Sequence, residues 1–197
     1  MAAYFVTQNL AHAGFQIYTV APTYLVSRIP DSVGLTDACV IPLCLATAIS
    51  GLYEQIGLNL ENTGQTDTSD ANEKAILIWG GSSVVGSCAI QLCAAAGLTV
   101  LSTASAKNFH YVKRLGADYV FDHADRDVIK KLIDSAAGKT IVGAYDAISN
   151  RETSLQSAEF LHAHGGGTLY ATRPSDFGAE SVLRGDVRRV AGKSTLP

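Results

Sequence analysis

Residues 75–97 read AILIWGGSSVVGSCAIQLCAAAG, and the prediction of the fold begins from this pattern. An apolar run at 75–80 predicts a buried strand, and a Gly/Ser turn follows it at 80–86. Apolar side chains then recur at helical spacing until Gly97, which is placed to end a helix. A strand, a tight turn and a helix in this order predict that backbone N–H groups of the turn face an anion such as a phosphate.

The rest of the chain repeats the alternation of strand and helix. Further strands are predicted at 98–103, 119–121, 142–148 and 168–171, with a weaker pattern at 187–191. Helices are predicted at 107–115, 125–137 and 149–162, the last begun by an S-x-x-E capping box from Ser149 to Glu152. Such βαβ units predict an α/β fold class with a doubly wound parallel sheet, a Rossmann fold.

Composition and charge exclude several classes of function. The chain has 197 residues, 47% of them hydrophobic, and a formal net charge of −3. That balance gives no electrostatic basis for binding nucleic acid or a membrane surface. The N-terminus lacks the basic start and continuous apolar core of a signal peptide. Residues 75–106 carry no charge, but their glycine interruptions favour a buried strand, helix and strand over a membrane span.

The cysteines indicate a reducing compartment. Two C-x4-C pairs occur in apolar, helical settings, formed by Cys39, Cys44, Cys88 and Cys93. A separation of five residues places the partners on different faces of a helix, which suits neither a disulfide nor a zinc site. We therefore expect reduced core cysteines in a soluble, cytoplasmic protein. No metal site is expected, because His162 and His164 have no cysteine or acidic ligand nearby.

The glycine turn departs from the G-x-G-x-x-G pattern at one position. Gly81 permits the tight turn and Gly86 allows close packing of helix on strand, but Ser83 replaces the glycine of closest approach. We expect a pyrophosphate to lie slightly further out, where the hydroxyls of Ser82 and Ser83 donate to it. A plain Gly/Ser turn without a ligand is the alternative, and the surrounding strand–turn–helix–strand context favours a dinucleotide.

The end of the second strand indicates which dinucleotide is bound. A site for NAD places an acidic residue about 20 residues past the first loop glycine, and none occurs between residues 98 and 111. The hydroxyls of Ser102, Thr103 and Ser105 and the cation of Lys107 suit the 2′-phosphate of NADP instead. Lys107 as a solvated lysine at a helix start is the alternative, but the missing acid favours NADP.

Three stretches, ILIWGGSSVVGSCAIQL, TASAKNFHYVKRLGADYVFDH and YDAIS, resemble the medium-chain dehydrogenase/reductase superfamily. In particular, the sequence resembles the zinc-free fungal enoyl reductases that act in trans with polyketide synthases. The resemblance covers residues 14–173 and is specific in the order of its motifs. It implies an NADP-binding Rossmann domain at 35–197, preceded at 1–34 by a short remnant of a GroES-like β-barrel catalytic domain. The polar segment 59–74 is expected to be a mobile surface loop.

The resemblance also implies contacts with the cofactor. The pyrophosphate would be held by Gly81, Ser82, Ser83, Val84 and Val85. Ser105 and Lys107 would hold the 2′-phosphate, while Tyr119 would lie near the adenosine and Thr47 near the nicotinamide. An aromatic residue often follows the third strand in such proteins. This chain has His123 there, so that contact is not carried over.

The sequence therefore predicts an NADPH-dependent oxidoreductase of enoyl-reductase type. The hydride would pass to the β-carbon of an α,β-unsaturated carbonyl or thioester, small or carrier-bound, and solvent or an unidentified acid would protonate the α-carbon. A polyketide synthase is the expected partner. The alternative is a catalytically incomplete NADP(H)-binding or interaction protein, or a fragment of a longer reductase, because most of the family's catalytic barrel would precede residue 1. An open sheet edge would then favour a homodimer.

Overall fold

Six parallel strands form one sheet in a computed structural model that describes residues 16–58, 73–173 and 185–191. In chain order they are β1 Lys74–Trp79, β2 Thr99–Ala104, β3 Tyr119–Asp122, β4 Thr140–Asp146, β5 Gly167–Ala171 and β6 Val187–Ala191. Their order across the sheet is β3-β2-β1-β4-β5-β6, and every neighbouring pair is parallel. The strand order reverses between β1 and β4, so the predicted doubly wound α/β sheet is confirmed.

Helices cover both faces of the sheet. They are α1 Leu35–Ala38, α2 Ile41–Ile49, α3 Val84–Ala95, α4 Phe109–Arg114, α5 Val128–Ser135 and α6 Arg151–Ala163. A π-helical segment, Ser50–Gln55, continues α2. One buried cluster joins α2, α3 and α4 to the first face of the sheet, and another joins α5 and α6 to the second face. Along β1, Ile76 and Ile78 belong to the first cluster and Leu77 to the second, so β1 reads as a continuous apolar run.

The capping box of α6 lies one residue later than predicted. Asn150 Oδ1 accepts from the Thr153 N–H at 2.8 Å, and Thr153 Oγ1 accepts from the Asn150 N–H at 3.2 Å. Ser149 precedes the helix and has a φ of +60°. Its N–H and its hydroxyl both donate to Asp146, at 2.8 Å each, and its left-handed φ lies outside the extended region that an N-cap residue adopts.

Residues 16–34 contain no β-strand, although the barrel remnant was expected there. Their regular structure is a 3-10 turn at Thr23–Leu25 and an isolated bridge at Ser27. Ile17 is 92% exposed and Tyr18 is 88% exposed. β-Branched and aromatic residues form a strand only where a neighbouring strand pairs with them, and none lies beside these residues in the described part of the chain. The division into domains at residue 34 stays a prediction.

Part of the predicted organisation lies outside the described residues. Of the surface loop expected at 59–74, only the last two residues are described, and Lys74 is already the first residue of β1. Residues 1–15, 174–184 and 192–197 also fall outside the described ranges. The predicted mobility of the loop is therefore untested.

The run Leu35–Gln55 is the one described segment that is long and apolar enough to cross a membrane. Its inner side packs on the sheet, where Ala48 and Leu52 are fully buried. Its outer side is open, with Leu35 75% exposed and Val40 52% exposed. The sequence raised the question of a membrane span for residues 75–106 as well. These residues form β1, α3 and β2, and α3 has 12 residues. Independence from membranes stays a prediction.

The four cysteines are free thiols at different depths. Cys93 is buried, Cys44 and Cys88 are half-buried, and Cys39 is exposed. The expected core position is therefore wrong for Cys39, because α1 contributes only Ala38 to the buried core. Burial raises the pKa of the Cys93 thiol, so this side chain stays protonated at neutral pH.

Gly86→Ala tests whether close packing at the glycine turn stabilises the fold. A Cβ at this position would lie 2.3 Å from the Gly80 carbonyl oxygen and 3.0 Å from the Gly81 Cα, and backbone atoms cannot easily move aside. We expect the overpacking to lower the free energy of unfolding by about 1–3 kcal/mol in urea denaturation, despite the better helix propensity of alanine. Gly185→Ala is the matched control, since nothing lies within 4 Å of its Cβ position. Equal effects of the two substitutions would contradict this account.

Candidate dinucleotide site

The turn between β1 and α3 is held against β2 by two hydrogen bonds. The Gly80 N–H donates to Thr103 Oγ1 at 3.1 Å, and the Gly81 N–H donates to the Thr103 carbonyl at 2.9 Å. Gly80 has a φ of +80°, a left-handed conformation that favours glycine. A Cβ at Gly81 would lie 2.2 Å from Ser102 Oγ. The absence of a side chain at Gly81 therefore lets the turn lie close to β2, whereas the left-handed conformation of the turn is at Gly80.

Ser83 is the N-cap of α3, and its hydroxyl is already engaged. Ser83 Oγ accepts from the Gly86 N–H at 3.0 Å and donates to the Gly80 carbonyl at 2.8 Å. A hydroxyl has a single proton, so the predicted donation from Ser83 to a phosphate does not match this structure. The serine instead closes the turn and caps the helix, which is why the turn forms without the second glycine of the motif.

The first turn of α3 offers backbone donors to an anion. The N–H groups of Val84 and Val85 have no acceptor among the described residues, as is usual for the start of a helix. The positive end of the helix dipole strengthens their attraction for negative charge. Ser82 lines the cavity beside this turn. Three residues of the predicted pyrophosphate set thus lie where an anion would bind, while Gly81 and Ser83 shape the turn.

A cavity of about 360 Å³ lies at the carboxyl ends of β1, β2, β3 and β4. This is the crevice at which the strand order reverses, and doubly wound folds bind their ligands there. Its lining comes from the ends of four strands and includes Trp79, Gly80, Ser105, His123, Ile148 and Asn150. The start of α6 contributes Glu152, Thr153 and Gln156. Gly80 and Ser82 of the glycine turn therefore belong to the cavity wall, and α3 begins directly after this turn.

The end of the cavity at β2 and β3 contains part of the predicted 2′-phosphate set. Ser105 lines the cavity, and its hydroxyl lies 3.2 Å from His123 Nε2. Ser102 is fully buried and donates to the Ile78 carbonyl at 2.8 Å, so its hydroxyl is not available. Lys107 is exposed in the 3-10 turn Ala106–Asn108 and is not part of the lining.

His123 is a residue that the sequence reasoning left unassigned. Among the described residues that line the cavity, it is the only one whose side chain can carry a positive charge. The backbone N–H of His123 donates to the Ala104 carbonyl at 3.4 Å, which places His123 beside the end of β2. Its position directly after the third strand was the signal in the sequence that could have identified it.

Two other predicted contacts lie away from the cavity. Tyr119 is the first residue of β3, at the amino end of the strand, whereas His123 follows the carboxyl end. Thr47 lies in α2, where its hydroxyl donates to the Leu43 carbonyl at 2.7 Å. Neither side chain lines the cavity. Both assignments stay predictions.

Two tyrosines fix α2 and its π-helical continuation to the sheet. The rings of Tyr145 and Tyr170 lie 5.0 Å apart, and a Cβ at Gly51 would lie 2.4 Å from the Tyr170 ring. The Tyr145 hydroxyl donates to the Thr47 carbonyl at 3.1 Å. Burial raises the pKa of Tyr145, so the phenol stays protonated and keeps this hydrogen bond at neutral pH.

Zinc ligands are not found in the described ranges 16–58, 73–173 and 185–191. No three His, Cys, Asp or Glu side chains there lie close enough together to hold a metal ion. His162 Nδ1 lies 2.5 Å from Asp186 Oδ2, and His164 Nδ1 lies 2.8 Å from the Phe160 carbonyl oxygen. The expectation that no acidic side chain lies near His162 is therefore wrong, because folding brings Asp186 beside it. The absence of a metal site stays a prediction.

Comparison with known sequences relates this site to dehydrogenases. The zinc-binding dehydrogenase family matches residues 84–188. The trans-enoyl reductase himH of Aspergillus japonicus is 44% identical over 165 residues, which cover 83% of this chain and 46% of the relative. The trans-enoyl reductase tazE of Aspergillus terreus is 41% identical over 124 residues, which cover 63% of this chain and 39% of the relative. The chain thus spans less than half the length of these relatives.

Solved structures show the same fold. The CurK enoyl reductase superimposes with a TM-score of 0.70 at 20% identity, covering 86% of this chain and 47% of that one. A quinone oxidoreductase of Pseudomonas syringae gives a TM-score of 0.65 at 22% identity, covering 87% of this chain and 50% of that one. At these identities the likeness extends to the fold alone.

Ser83→Ala and Ser83→Gly separate helix capping from contact with a ligand. If the hydroxyl serves only as a cap, Ser83→Ala lowers the free energy of unfolding by about 1 kcal/mol and Ser83→Gly by only a few tenths. Urea denaturation measures both values. In Ser83→Gly the affinity for a dinucleotide is then unchanged, and a loss of more than about threefold would show that the hydroxyl contacts the ligand.

Proposed function

The chain belongs to the zinc-binding dehydrogenase family, within the medium-chain dehydrogenase/reductase superfamily, and we propose that it is the dinucleotide-binding part of an NADPH-dependent enoyl reductase. One observation carries the proposal. The glycine turn that leads into α3 lines a cavity where the strand order reverses, which is where a dinucleotide fits a doubly wound sheet. The similarity to trans-enoyl reductases supports the class of reaction.

The turn and α3 would hold the pyrophosphate of the dinucleotide. The N–H groups of Val84 and Val85 would donate to it, together with the hydroxyl of Ser82. Gly80 presents backbone rather than a side chain on this side of the cavity. Zinc takes no part in the proposal, because the described residues offer no set of ligands for it.

The proposed cofactor is NADPH rather than NADH. No acidic side chain follows β2 to bind a ribose 2′-hydroxyl. Instead, the Ser105 hydroxyl and the His123 imidazole meet at that end of the cavity. Glu152, the one carboxylate of the described lining, comes from α6. A 2′-phosphate bound beside this pair would accept hydrogen bonds from the Ser105 hydroxyl and the His123 imidazole in place of the contact between them. The exposed Lys107 would add a screened charge.

In the proposed reaction the bound cofactor supplies a hydride to the β-carbon of an α,β-unsaturated carbonyl or thioester. This chain would contribute binding and orientation of the cofactor. Solvent or an unidentified acid would protonate the α-carbon, since no observation assigns this role to a described residue of the cavity lining. We propose a carrier-bound substrate and a polyketide synthase partner, in line with the resemblance of the sequence and with the name trans-enoyl reductase that himH and tazE bear. The free cysteines support the further proposal of a cytoplasmic location.

An NADP(H)-binding protein without turnover is the second candidate. The exposed apolar side chains on the outer side of α1 and α2, including Leu35 and Val40, favour it, because they offer a surface for another polypeptide. The chain would then bind the dinucleotide and associate with a synthase or with a second copy of itself. Binding of NADPH without oxidation of NADPH in the presence of enoyl thioesters would favour this candidate over the reductase.

Titration with NADPH and NADH tests the proposed function. Trp79 is the only tryptophan and lines the cavity, so energy transfer from it to the reduced nicotinamide reports binding. We expect NADPH to bind at least about tenfold more tightly than NADH, since the 2′-phosphate gains charge-assisted hydrogen bonds. Absence of binding by both would overturn the proposal, and equal affinities would overturn the preference for NADPH.

His123→Gln tests the recognition of the 2′-phosphate. The ratio of the affinities for NADP⁺ and NAD⁺ should fall about tenfold, because the 2′-phosphate loses its hydrogen bond to the imidazole. Isothermal titration calorimetry measures both affinities. His110→Gln, at an exposed position of α4, is the matched control and should leave the ratio unchanged. An unchanged ratio in His123→Gln would assign the preference to Ser105 and Lys107 alone.

A further inference from the structure

Asp146 is a fully buried carboxylate that accepts four hydrogen bonds at the end of β4. Its Oδ1 accepts from the N–H groups of Ile148 at 3.0 Å and Ser149 at 2.8 Å. Its Oδ2 accepts from the hydroxyls of Thr153 at 2.8 Å and Ser154 at 2.9 Å. The two oxygens thus have separate partners: Oδ1 holds the loop at residues 147–150, and Oδ2 holds the start of α6. Four donors occupy the lone pairs of the carboxylate, which compensates for its removal from water.

The loop that Asp146 holds is in a conformation it would not adopt by local preference. Ser149 has a φ of +60°, which is uncommon for a residue with a side chain. The Ser149 hydroxyl donates to the Asp146 carbonyl at 2.8 Å and lies 3.0 Å from Thr172 Oγ1. The side chain and the carbonyl of Asp146 therefore fix this turn together.

The same loop forms the wall of the cavity that faces the glycine turn. Ile148 and Asn150 line the cavity. A Cβ at Gly80 would lie 2.6 Å from Ile148 Cγ1, so the isoleucine side chain lies directly on the Cα of Gly80. Ile148 is nevertheless 40% exposed, and little besides the loop backbone determines its position. A shift of the loop would therefore move Ile148 away from the glycine turn.

We propose that Asp146 is a positioning residue for the dinucleotide site, acting through Ile148. Its Oδ1 and its main-chain carbonyl together set the turn at Ser149 and so hold Ile148 against Gly80, on the opposite side of the cavity from Ser105. This inference rests on the proposed function, because it assigns Asp146 to the binding of the same dinucleotide. The stabilisation of α6 through Oδ2 is a separate contribution, and the two can be measured separately.

A matched pair of serine substitutions separates positioning from stability. Ser149→Ala and Ser154→Ala each remove one buried hydroxyl. The Ser149 hydroxyl donates to the Asp146 main-chain carbonyl on the loop side, and the Ser154 hydroxyl donates to Asp146 Oδ2 on the helix side. Both should lower the urea midpoint. Only Ser149→Ala should weaken NADPH binding, by about fivefold or more, measured through energy transfer from Trp79. An equal effect of both on affinity, or none from Ser149→Ala, would overturn the inference.

A double-mutant cycle tests whether the effect runs through Ile148. Ile148→Ala should weaken NADPH binding about fivefold in the unaltered chain and have no further effect when combined with Ser149→Ala. Additive losses would show that the two residues act independently and would contradict the proposal. Asp146→Ala should weaken NADPH binding, whereas Asp146→Asn keeps one oxygen for the loop donors and should retain most of the affinity for NADPH. If Asp146→Ala does not fold, the serine pair and the cycle still decide the question.

The test also separates this inference from the proposed function. If the unaltered chain binds neither NADPH nor NADH, the proposed function is overturned, and this inference with it. If the unaltered chain binds NADPH and Ser149→Ala binds it equally well, only the role of Asp146 is overturned.

Discussion

The site depends on one close contact between two stretches of backbone. Gly86, in the first turn of α3, lies so near the Gly80 carbonyl that a Cβ would come within 2.3 Å of it. This approach sets how α3 leaves the end of β1, and therefore where the N–H groups of Val84 and Val85 are directed. Thr103 holds the same turn from β2 through its hydroxyl and its carbonyl. The first turn of α3 consequently begins directly after the part of the glycine turn that lines the cavity, at the reversal point of the sheet.

The opposite wall of the cavity is built by a different chemistry. Close packing of glycines shapes the side at α3, whereas a buried carboxylate organises the side at α6. Asp146 gathers donors from the loop and from the helix, and Ile148 brings the two walls together at Gly80. Because the two walls meet at a residue without a side chain, a small displacement of either one would change the shape of the cavity.

Much of the fold followed from local pattern, and the departures have local physical causes. The strand predicted at 142–148 ends at Asp146, because the Asp146 carboxylate accepts the N–H groups of Ile148 and Ser149 and turns the chain there. The apolar pattern extends through Ile148 and gives no sign of that turn. The capping box moved from Ser149 to Asn150 for the same reason. Buried positions in the strands were predictable, since both faces of a parallel sheet are covered and its strands are continuously apolar.

Three features could be predicted from the sequence alone: the fold class, the place of the glycine turn and the lack of an acidic residue after the second strand. These depend on residue type and spacing, which act within a few residues along the chain. The tertiary structure decided which polar groups remain free to bind a ligand. Ser102 and Ser105 look alike in the sequence, yet Ser102 donates to the Ile78 carbonyl while Ser105 lines the cavity beside His123. The difference lies in their partners: Ile78 is in β1 and His123 directly follows β3, the two strands on either side of β2. Only folding brings these strands together.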